Sequence, residues 1–550
     1  MFHQLLTPVG DSLALSFAVA LLPIAILLLM LGILRRPAWQ AAGAGLLAGV
    51  VIAVSVWKMP PSLALAAAAG GAVFAFWPVM WIVISALLLY NIAVTSGRFD
   101  AFREWVTTNL PNDRRVVLIV IGFCFGALLE GIAGFGAPVA ITASLLILVG
   151  FPALDALVFV LIFDTTPVAF GALGAPVTVL AAVTGLPAAS LAAMIGRQLP
   201  LIAAILPFYV TALYGGWRSL RALWPMLLVA GLSFGAAQFA ASNFFDYTLA
   251  DIFSALASLV ATILFLQFWK PAPDDEFQID TALRVDAVPR LAGSARVEVA
   301  ASARINPWSG WLPWLIVSAT VILWTLLKVA RFGQQSIHWP LLDNAIAITL
   351  YDNKPYAAVW LLQPLGTGTA ILAAALATAI CVRLTVRELL HCIALTIRQI
   401  WLAVVTVMLI VALAYVMNYS GIAYSLGLAA ASAGRAFVLF SPFLGWIAVF
   451  LSGSDTSGNA LFGNLQVVAA RQLQLNPLLF AATNSSGGVL GKMISPQNIA
   501  TGLAVTNLKG QEGAVLARTF WHSVVLTLLL VVIVIVQQYV IPGVIPALER

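Results

Sequence analysis

From Leu13 to Leu34 the chain carries no charged residue. At 1.5 Å per residue, a helix of that length crosses the roughly 30 Å hydrocarbon core of a bilayer. Such stretches recur near 41–57, 72–93, 116–132, 139–150, 156–180, 198–214, 222–241 and 252–269. They resume near 309–330, 356–382, 396–418, 437–452, 460–475, 478–490 and 517–541. Several are too short to cross alone, so about 12 to 14 crossings are expected. Only helices and closed barrels satisfy backbone hydrogen bonds in lipid. The runs are continuous rather than alternating, which excludes a barrel. Charged residues make up 9% of the 550, about a third of the ~25% usual in soluble domains. With 62% apolar residues, a soluble globule and a disordered chain are both excluded. The reading is an all-α polytopic membrane protein surrounded by lipid.

The net charge of +6 is small and the cations are scattered, so no nucleic-acid partner is expected. Cys124, Cys381 and Cys392 lie far apart and the four His residues are dispersed, which predicts no disulfide framework and no metal site. No basic segment precedes the first run, so that run reads as a span rather than a cleaved leader. Arg35 and Arg36 follow span one, and Arg98, Arg103, Arg114 and Arg115 follow span three. The positive-inside rule then places the N-terminus outside the cytoplasm. Residues 270–307 are nearly charge-balanced and read as a polar linker between membrane halves 1–269 and 308–550, the only soluble-looking stretch.

Each half contains apolar sequence broken by glycine and small polar residues. The first half has Gly134-Phe-Gly136 followed by Pro138, then Gly171, Gly174 and Pro176. The second has Gly453 to Gly458, then Gly487, Gly488 and Gly491. Glu130 and Asp455 are 325 positions apart, and Asp164 and Asn484 are 320 apart. Two pairs at nearly one offset predict an internal duplication, here two inverted repeats with broken helices. Paired interruptions of this kind point to a transporter site.

Non-helical backbone at membrane depth is tolerated only inside protein or along a wet cavity. A break exposes helix N-termini, whose free N–H groups suit a carboxylate. Gly134 and Gly136 supply the bend. Thr165, Thr166, Ser454, Thr456, Ser457, Asn459, Asn484, Ser485 and Ser486 are the candidates to complete a small anion site, with Lys492 as its cation. Glu130 and Asp455 each stand alone among uncharged neighbours, and Asp164 is a third such acid. A carboxylate at membrane depth costs roughly 2.5–3.5 kcal/mol on insertion scales. One that takes a proton on one side and releases it on the other accounts for that cost. The run Ser486 to Met493 lacks the first glycine and the Ser/Thr of a phosphate loop. No HExxH or GxSxG motif supports an enzyme, and no cofactor is called for.

At these motifs the sequence resembles the bacterial lactate permease family, which includes the glycolate permeases. The match runs through Gly122-Phe-Cys-Phe-Gly-Ala-Leu-Leu-Glu-Gly-Ile-Ala-Gly-Phe-Gly-Ala-Pro-Val-Ala-Ile141, Pro167-Val-Ala-Phe-Gly-Ala172 and Gly196-Arg-Gln-Leu-Pro200. It continues through Ser441-Pro-Phe-Leu-Gly-Trp446, Gly453-Ser-Asp-Thr-Ser-Gly-Asn-Ala-Leu-Phe462 and Gly491-Lys-Met-Ile-Ser-Pro-Gln497. The resemblance implies proton symport of L-lactate, D-lactate and glycolate across the bacterial inner membrane. It also implies kinship with ion-coupled anion transporters whose inverted repeats each supply a broken helix and a re-entrant hairpin. The family pattern usually has Asn-Thr where this chain has Asp164-Thr165, which shifts the expected proton role toward Glu130 and Asp455.

On this reading the substrate carboxylate docks on broken-helix N–H groups and hydroxyls, and Asn459 or Asn484 reads its hydroxyl. Glu130→Gln is expected to abolish proton-driven uptake and spare exchange. A sodium-coupled organic anion transporter of the same fold is the alternative. The sequence leaves substrate ranking and oligomeric state open.

Overall fold

The computed structural model describes residues 1–32, 34, 36–132, 134, 137–279, 306–503, 506, 508 and 511–547. Proline starts many of the helices, where its missing N–H costs nothing. Pro37 precedes Ala38–Ser55, Pro152 precedes Ala153–Phe163, and Pro477 opens Pro477–Lys492 behind an Asn476 cap. Thr385 and Glu388 form a reciprocal cap at the start of the 35-residue helix Val386–Ser420.

The helices divide by burial. The apolar window of Arg114–Ile132 is 100% buried, against 28% for Leu13–Leu31. Leu22, Leu29, Leu47 and Leu65 remain exposed on the outer helices, as lipid-facing residues do. Among the described residues, ten helices are long and apolar enough to cross a membrane, or up to eleven with the bent pair Ala153–Phe163 and Val168–Thr184. Two further passes bring the count into the expected 12 to 14. One comes from the turn at Gly215–Gly216 inside Leu199–Phe244, and the other is the 15-residue helix Thr367–Cys381.

Two hairpins organise the interior. In the first, Arg114–Ile132 runs inward and Ala137–Leu148 returns beside it. In the second, Phe437–Ser452 runs inward and Asp455–Gln472 returns. Each is followed by a broken helix: Ala153–Phe163 with Val168–Thr184, bent by 62°, and Pro477–Lys492 with Pro496–Leu503. At the mouth of the first hairpin Arg114 Nη1 donates to the Gly150 carbonyl at 3.2 Å, and Asp155 pairs with Arg518. At the mouth of the second, Arg471 lies over the Tyr351 ring at 4.7 Å. Its helix is tied at Asn464 to Asn418 (2.9 Å), which also donates to Val183 O (3.3 Å). The first broken helix thus starts at the first mouth, with Asp155, and runs outward along the second hairpin's return helix, where Thr184 lies beside Gly463. The hairpins open to opposite faces, which is the inverted arrangement expected of the two repeats.

Two expectations are corrected. The stretch 356–382 is not one span: Val359–Leu362 is a strand paired with Gln335–His338, and helix begins only at Thr367. Pro364 and Gly366 stand between them and break the run. Nor is 270–307 the only soluble-looking stretch. Residues 328–363 form a second extramembrane unit, in which Ile346–Ile348 pairs in parallel with Phe2–His3 and antiparallel with Lys354–Pro355. Its alternating pattern of exposure marks strand rather than span.

Most of the linker, 280–305, lies outside the described residues. Its start docks on the first hairpin and on Leu199–Phe244: Asp274 pairs with Arg115 (3.5 Å) and Arg218 (3.1 Å), and Phe277 sits under the Arg115 guanidinium at 4.4 Å. The sequence halves interleave in space, because Val386–Ser420 packs on Ala38–Ser55, Pro61–Phe74 and Trp81–Thr95.

Candidate functional site

The hairpin tips and both broken helices converge at one buried cluster. Glu130 lies in the last turn of Gly126–Ile132, Asp164 caps Ala153–Phe163, and Lys492 ends Pro477–Lys492. Lys492 Nζ is 2.8 Å from Glu130 Oε1 and 3.0 Å from Asp164 Oδ2. The three residues are 2%, 7% and 3% exposed. A cation at a helix C-terminus is favoured by the helix dipole, and an anion there is not. Glu130 and Asp164 both sit at such ends, so Lys492 is what holds them. One cation serves two carboxylates, and Glu130 Oε2 has no hydrogen-bond partner among the described residues.

The backbone around this cluster is strained. Gly134 turns at φ +58°, and its N–H donates back to the Glu130 carbonyl at 3.1 Å. Opposite it, Ala172, Leu173 and Gly174 take φ of +45°, +54° and +75°. Left-handed backbone costs roughly 1–2 kcal/mol per non-glycine residue and gathers at functional sites. Gly171 is required by close approach, since a Cβ there meets Glu130 Oε1 at 2.9 Å.

Asp455 opens the return helix of the second hairpin, an N-terminal position that suits an anion. Its Oδ2 accepts from Ser485 Oγ at 2.5 Å and from Asn459 Nδ2 at 3.2 Å. Between the two acidic centres lies a cleft of about 20 Å³, lined by Glu130, Gly134, Gly171, Ala172, Ser454, Asp455, Thr456 and Lys492. One water needs roughly 10–15 Å³ on this measure, so the cleft is contracted to about the size of a single water. Larger cavities of about 500 and 720 Å³ open elsewhere, the first at the mouth of the first hairpin and the second beside the 270–278 segment. Neither contains a converging break, and chemistry favours the small cleft.

Of the residues singled out in the sequence, Gly134, Ser454, Thr456 and Lys492 line the cleft with Glu130 and Asp455. Gly136 lies outside the described residues. The Thr165 and Thr166 hydroxyls donate to the Ile162 and Phe163 carbonyls at 2.7 and 3.3 Å. Asn484 Nδ2 donates to Asn459 Oδ1 at 3.0 Å, and Asn459 Nδ2 also reaches Pro176 O at 3.2 Å, so this amide pair stitches the second hairpin to both broken helices. Ser457 and Ser486 are buried, and Ser486 Oγ has no partner among the described residues.

The fourth break falls elsewhere than expected. Gly487, Gly488 and Gly491 lie within the helix Pro477–Lys492, and the interruption is at Met493–Ser495. These glycines are packing positions. A Cβ at Gly487 or Gly491 lies 2.1 or 2.2 Å from the Pro442 or Trp446 carbonyl of the facing hairpin arm. Small residues let membrane helices approach this closely. Likewise only Gly453 and Ser454 interrupt the second hairpin, and Gly458 is helical.

One acid of this region escaped the sequence reading. Asp251 is 1% exposed and packs against Gly131, where a Cβ would meet its own at 2.6 Å. The apolar run begins at residue 252, which leaves Asp251 in an apparent loop. The helix Ala250–Phe268 includes it. The criterion that found Glu130, a lone acid in apolar surroundings, finds Asp251 once that boundary moves.

The chain matches the L-lactate permease family over residues 16–541. It is 39% identical to the L-lactate permease of Salmonella typhimurium over 559 residues, covering 99% of this chain and 100% of that one. Identity is also 39% to the glycolate permease GlcA of Escherichia coli, covering 98% of each, and to the L-lactate permease of Bacillus subtilis, covering 99% of each. Among solved structures, Neisseria gonorrhoeae MtrF, titled as one of a class of antimetabolite efflux pumps, aligns with a TM-score of 0.41 at 13% identity over 85% of this chain and 83% of that one.

Proposed function

The chain belongs to the L-lactate permease family, and from that premise we propose that it imports L-lactate, D-lactate and glycolate with a proton across a bacterial inner membrane. It is a permease rather than an enzyme, with multiple membrane-spanning helices. The observation that carries the coupling is the buried cluster of Lys492, Glu130 and Asp164.

A 2-hydroxy acid is an anion at neutral pH, because its carboxyl group titrates near ~4. An inward-negative membrane opposes it by about 2.3 kcal/mol per 100 mV. A proton moving with it cancels that charge. Lys492 already holds two carboxylate oxygens, so a substrate carboxylate competes with Glu130 and Asp164 for it. The first N–H groups of Asp455–Gln472, with Ser454 and Thr456, face the same cleft and complete the anion site. The coupling proton belongs to the buried acids at and behind this cleft, of which Glu130, Asp455 and Asp164 are the candidates read from the sequence. Gly134, Thr165, Thr166, Ser457, Asn459, Asn484, Ser485 and Ser486 shape and brace it. Because the cleft is contracted to about 20 Å³, loading it requires one hairpin to withdraw.

Lys492 occupies the position between Glu130 and Asp164 that a sodium ion would need. That supports the proton over sodium as the coupling ion. Arg114, Arg115 and Arg218 share a face with the 270–279 segment, so the first hairpin opens to the cytoplasm and the second, with the N-terminal strand, to the periplasm. An impermeant maleimide should then label Asn353→Cys in intact cells, in a chain whose three native cysteines are replaced.

The test of function is L-lactate uptake into proteoliposomes under an inward proton gradient, with voltage clamped by valinomycin and sodium excluded. Accumulation that a protonophore collapses is the expected result. No accumulation until sodium is added overturns the coupling ion, and accumulation of neither lactate nor glycolate overturns the substrate.

A further inference from the structure

Asp251 lies at membrane depth with neither carboxylate oxygen hydrogen-bonded among the described residues. Every other acid of the region has a partner: Glu130 and Asp164 have Lys492, and Asp455 has Ser485 and Asn459. An ionised carboxylate buried without partner or cation is among the most costly groups a protein can hold.

The neighbourhood of Asp251 includes one neutral amide. The Gln238 carboxamide faces it from Leu199–Phe244. That carboxamide donates its Nε2–H to the Thr166 carbonyl at 3.0 Å, and its Oε1 lacks a donor. Reversing the amide does not help, because Oε1 would then face the Thr166 carbonyl. Gln238 Oε1 and both Asp251 oxygens are left without a partner, and a proton on Asp251 supplies the donor that this group of oxygens lacks.

Among the described residues, the remaining elements packed on the helix Ala250–Phe268 bring no other cation. Gly126–Ile132 brings Glu130, and Asp164 and Lys492 reach it from the breaks. Cys124 turns to Ser258 (3.2 Å) and Tyr247 to Thr178 (3.1 Å).

Resting on the proton symport proposed above, we propose that Asp251 carries the coupling proton, and that the cleft receives its anionic substrate only while that proton is in place. With Asp251 neutral, a carboxylate arriving at Lys492 meets two anions that share one lysine. With Asp251 ionised it meets a third, which has no hydrogen bond. Proton and substrate therefore favour each other's binding, and by linkage the preference is mutual. On release at low substrate and low proton concentration, both leave. The small residue at 131 is what admits Asp251 to the back of the Glu130 turn.

The experiment compares the unmodified chain with Asp251→Asn and Asp251→Glu in proteoliposomes, measuring L-lactate accumulation under a pH gradient and L-lactate exchange without one. Asn mimics the protonated acid permanently. Asp251→Asn is expected to lower accumulation at least tenfold, to keep measurable exchange, and to flatten the pH profile of that exchange. Accumulation and pH profile equal to the unmodified chain overturn the proposal. So does loss of exchange and accumulation together in a monodisperse Asn variant, which marks a structural role. Asp251→Glu, which keeps a titratable group at the site, is expected to accumulate lactate with a displaced pH profile, and an undisplaced one counts against the proposal. Failure of the unmodified chain to accumulate lactate under a proton gradient instead overturns the symport itself.

Discussion

Lys492 and Glu130 contact each other, yet neutralising them is expected to have unequal effects. Lys492→Met leaves Glu130 and Asp164 facing one another with no cation, at 2% and 7% exposure. Breaking a buried pair this way costs about 3–5 kcal/mol. Glu130→Gln leaves Lys492 its 3.0 Å contact with Asp164. At an effective dielectric of ~20, the lost attraction at the 2.8 Å contact is about 6 kcal/mol. Relief of the repulsion between Glu130 and Asp164, which share that lysine, returns part of this. Sparing the desolvation of one carboxylate returns several kcal/mol more, so the net change is near zero. The triple variant Lys492→Met, Glu130→Gln, Asp164→Asn removes all three charges and should recover most of what Lys492→Met loses. Thermal unfolding of purified protein in detergent, followed by tryptophan fluorescence, reads the order. Lys492→Met should melt lowest, with Glu130→Gln close to the unmodified chain and the triple variant between them. A Glu130→Gln variant as unstable as Lys492→Met, or a triple variant without recovery, would refute the shared-lysine reasoning.

Three further outcomes are expected. Gly491→Ala pushes a methyl to 2.2 Å from the Trp446 carbonyl, and overpacking of this kind costs about 1–3 kcal/mol. A lowered melting midpoint checks it, whereas Gly513→Ala, with nothing within 4 Å, should be silent. Ser485→Ala removes the shorter of the two hydrogen bonds to Asp455 and leaves Asn459 at 3.2 Å, so lactate uptake should fall several-fold with expression unchanged. In the extramembrane unit, a hydrogen bond from His338, and then one from the Ala358 N–H, hold the Asp343 carboxyl below its ordinary value. Its contribution to the order of that unit is therefore full above roughly pH 4 and is lost as pH falls through the depressed value. Limited proteolysis should find 334–363 protected at pH 5, and Asp343→Ala should expose it at every pH.

The sequence makes the spans and the acids legible for one reason: charge is so scarce in lipid that each exception stands out. Glu130, Asp455 and Lys492 could be picked out this way, and they line one cleft. Hydroxyls and amides give no such contrast, because the same side chains serve packing. Thr165, Thr166, Asn459 and Asn484 bond to backbone or to one another, and their sequence context does not separate them from Ser454 and Thr456. Glycine was ambiguous in the same way. Gly134 bends the chain, while Gly487 and Gly491 let two straight helices touch, and only the facing carbonyls tell these uses apart. Asp251 falls one residue outside its apolar run, and the strand Val359–Leu362 falls inside one that only its alternation tells from a span.

The two hairpins open to opposite faces and meet at their tips, and this bears on a conformation other than the one described. If each repeat adopted the other's present shape, the tips would still meet and the mouths would keep their faces, but the side from which the cleft is reached would change. Such an exchange rebuilds contacts of the same kinds, so the two arrangements differ little in intrinsic energy. Their populations are then set from outside the molecule, by voltage and by the concentrations on each side. A permease built this way has no preferred direction of its own, and runs whichever way the gradients point.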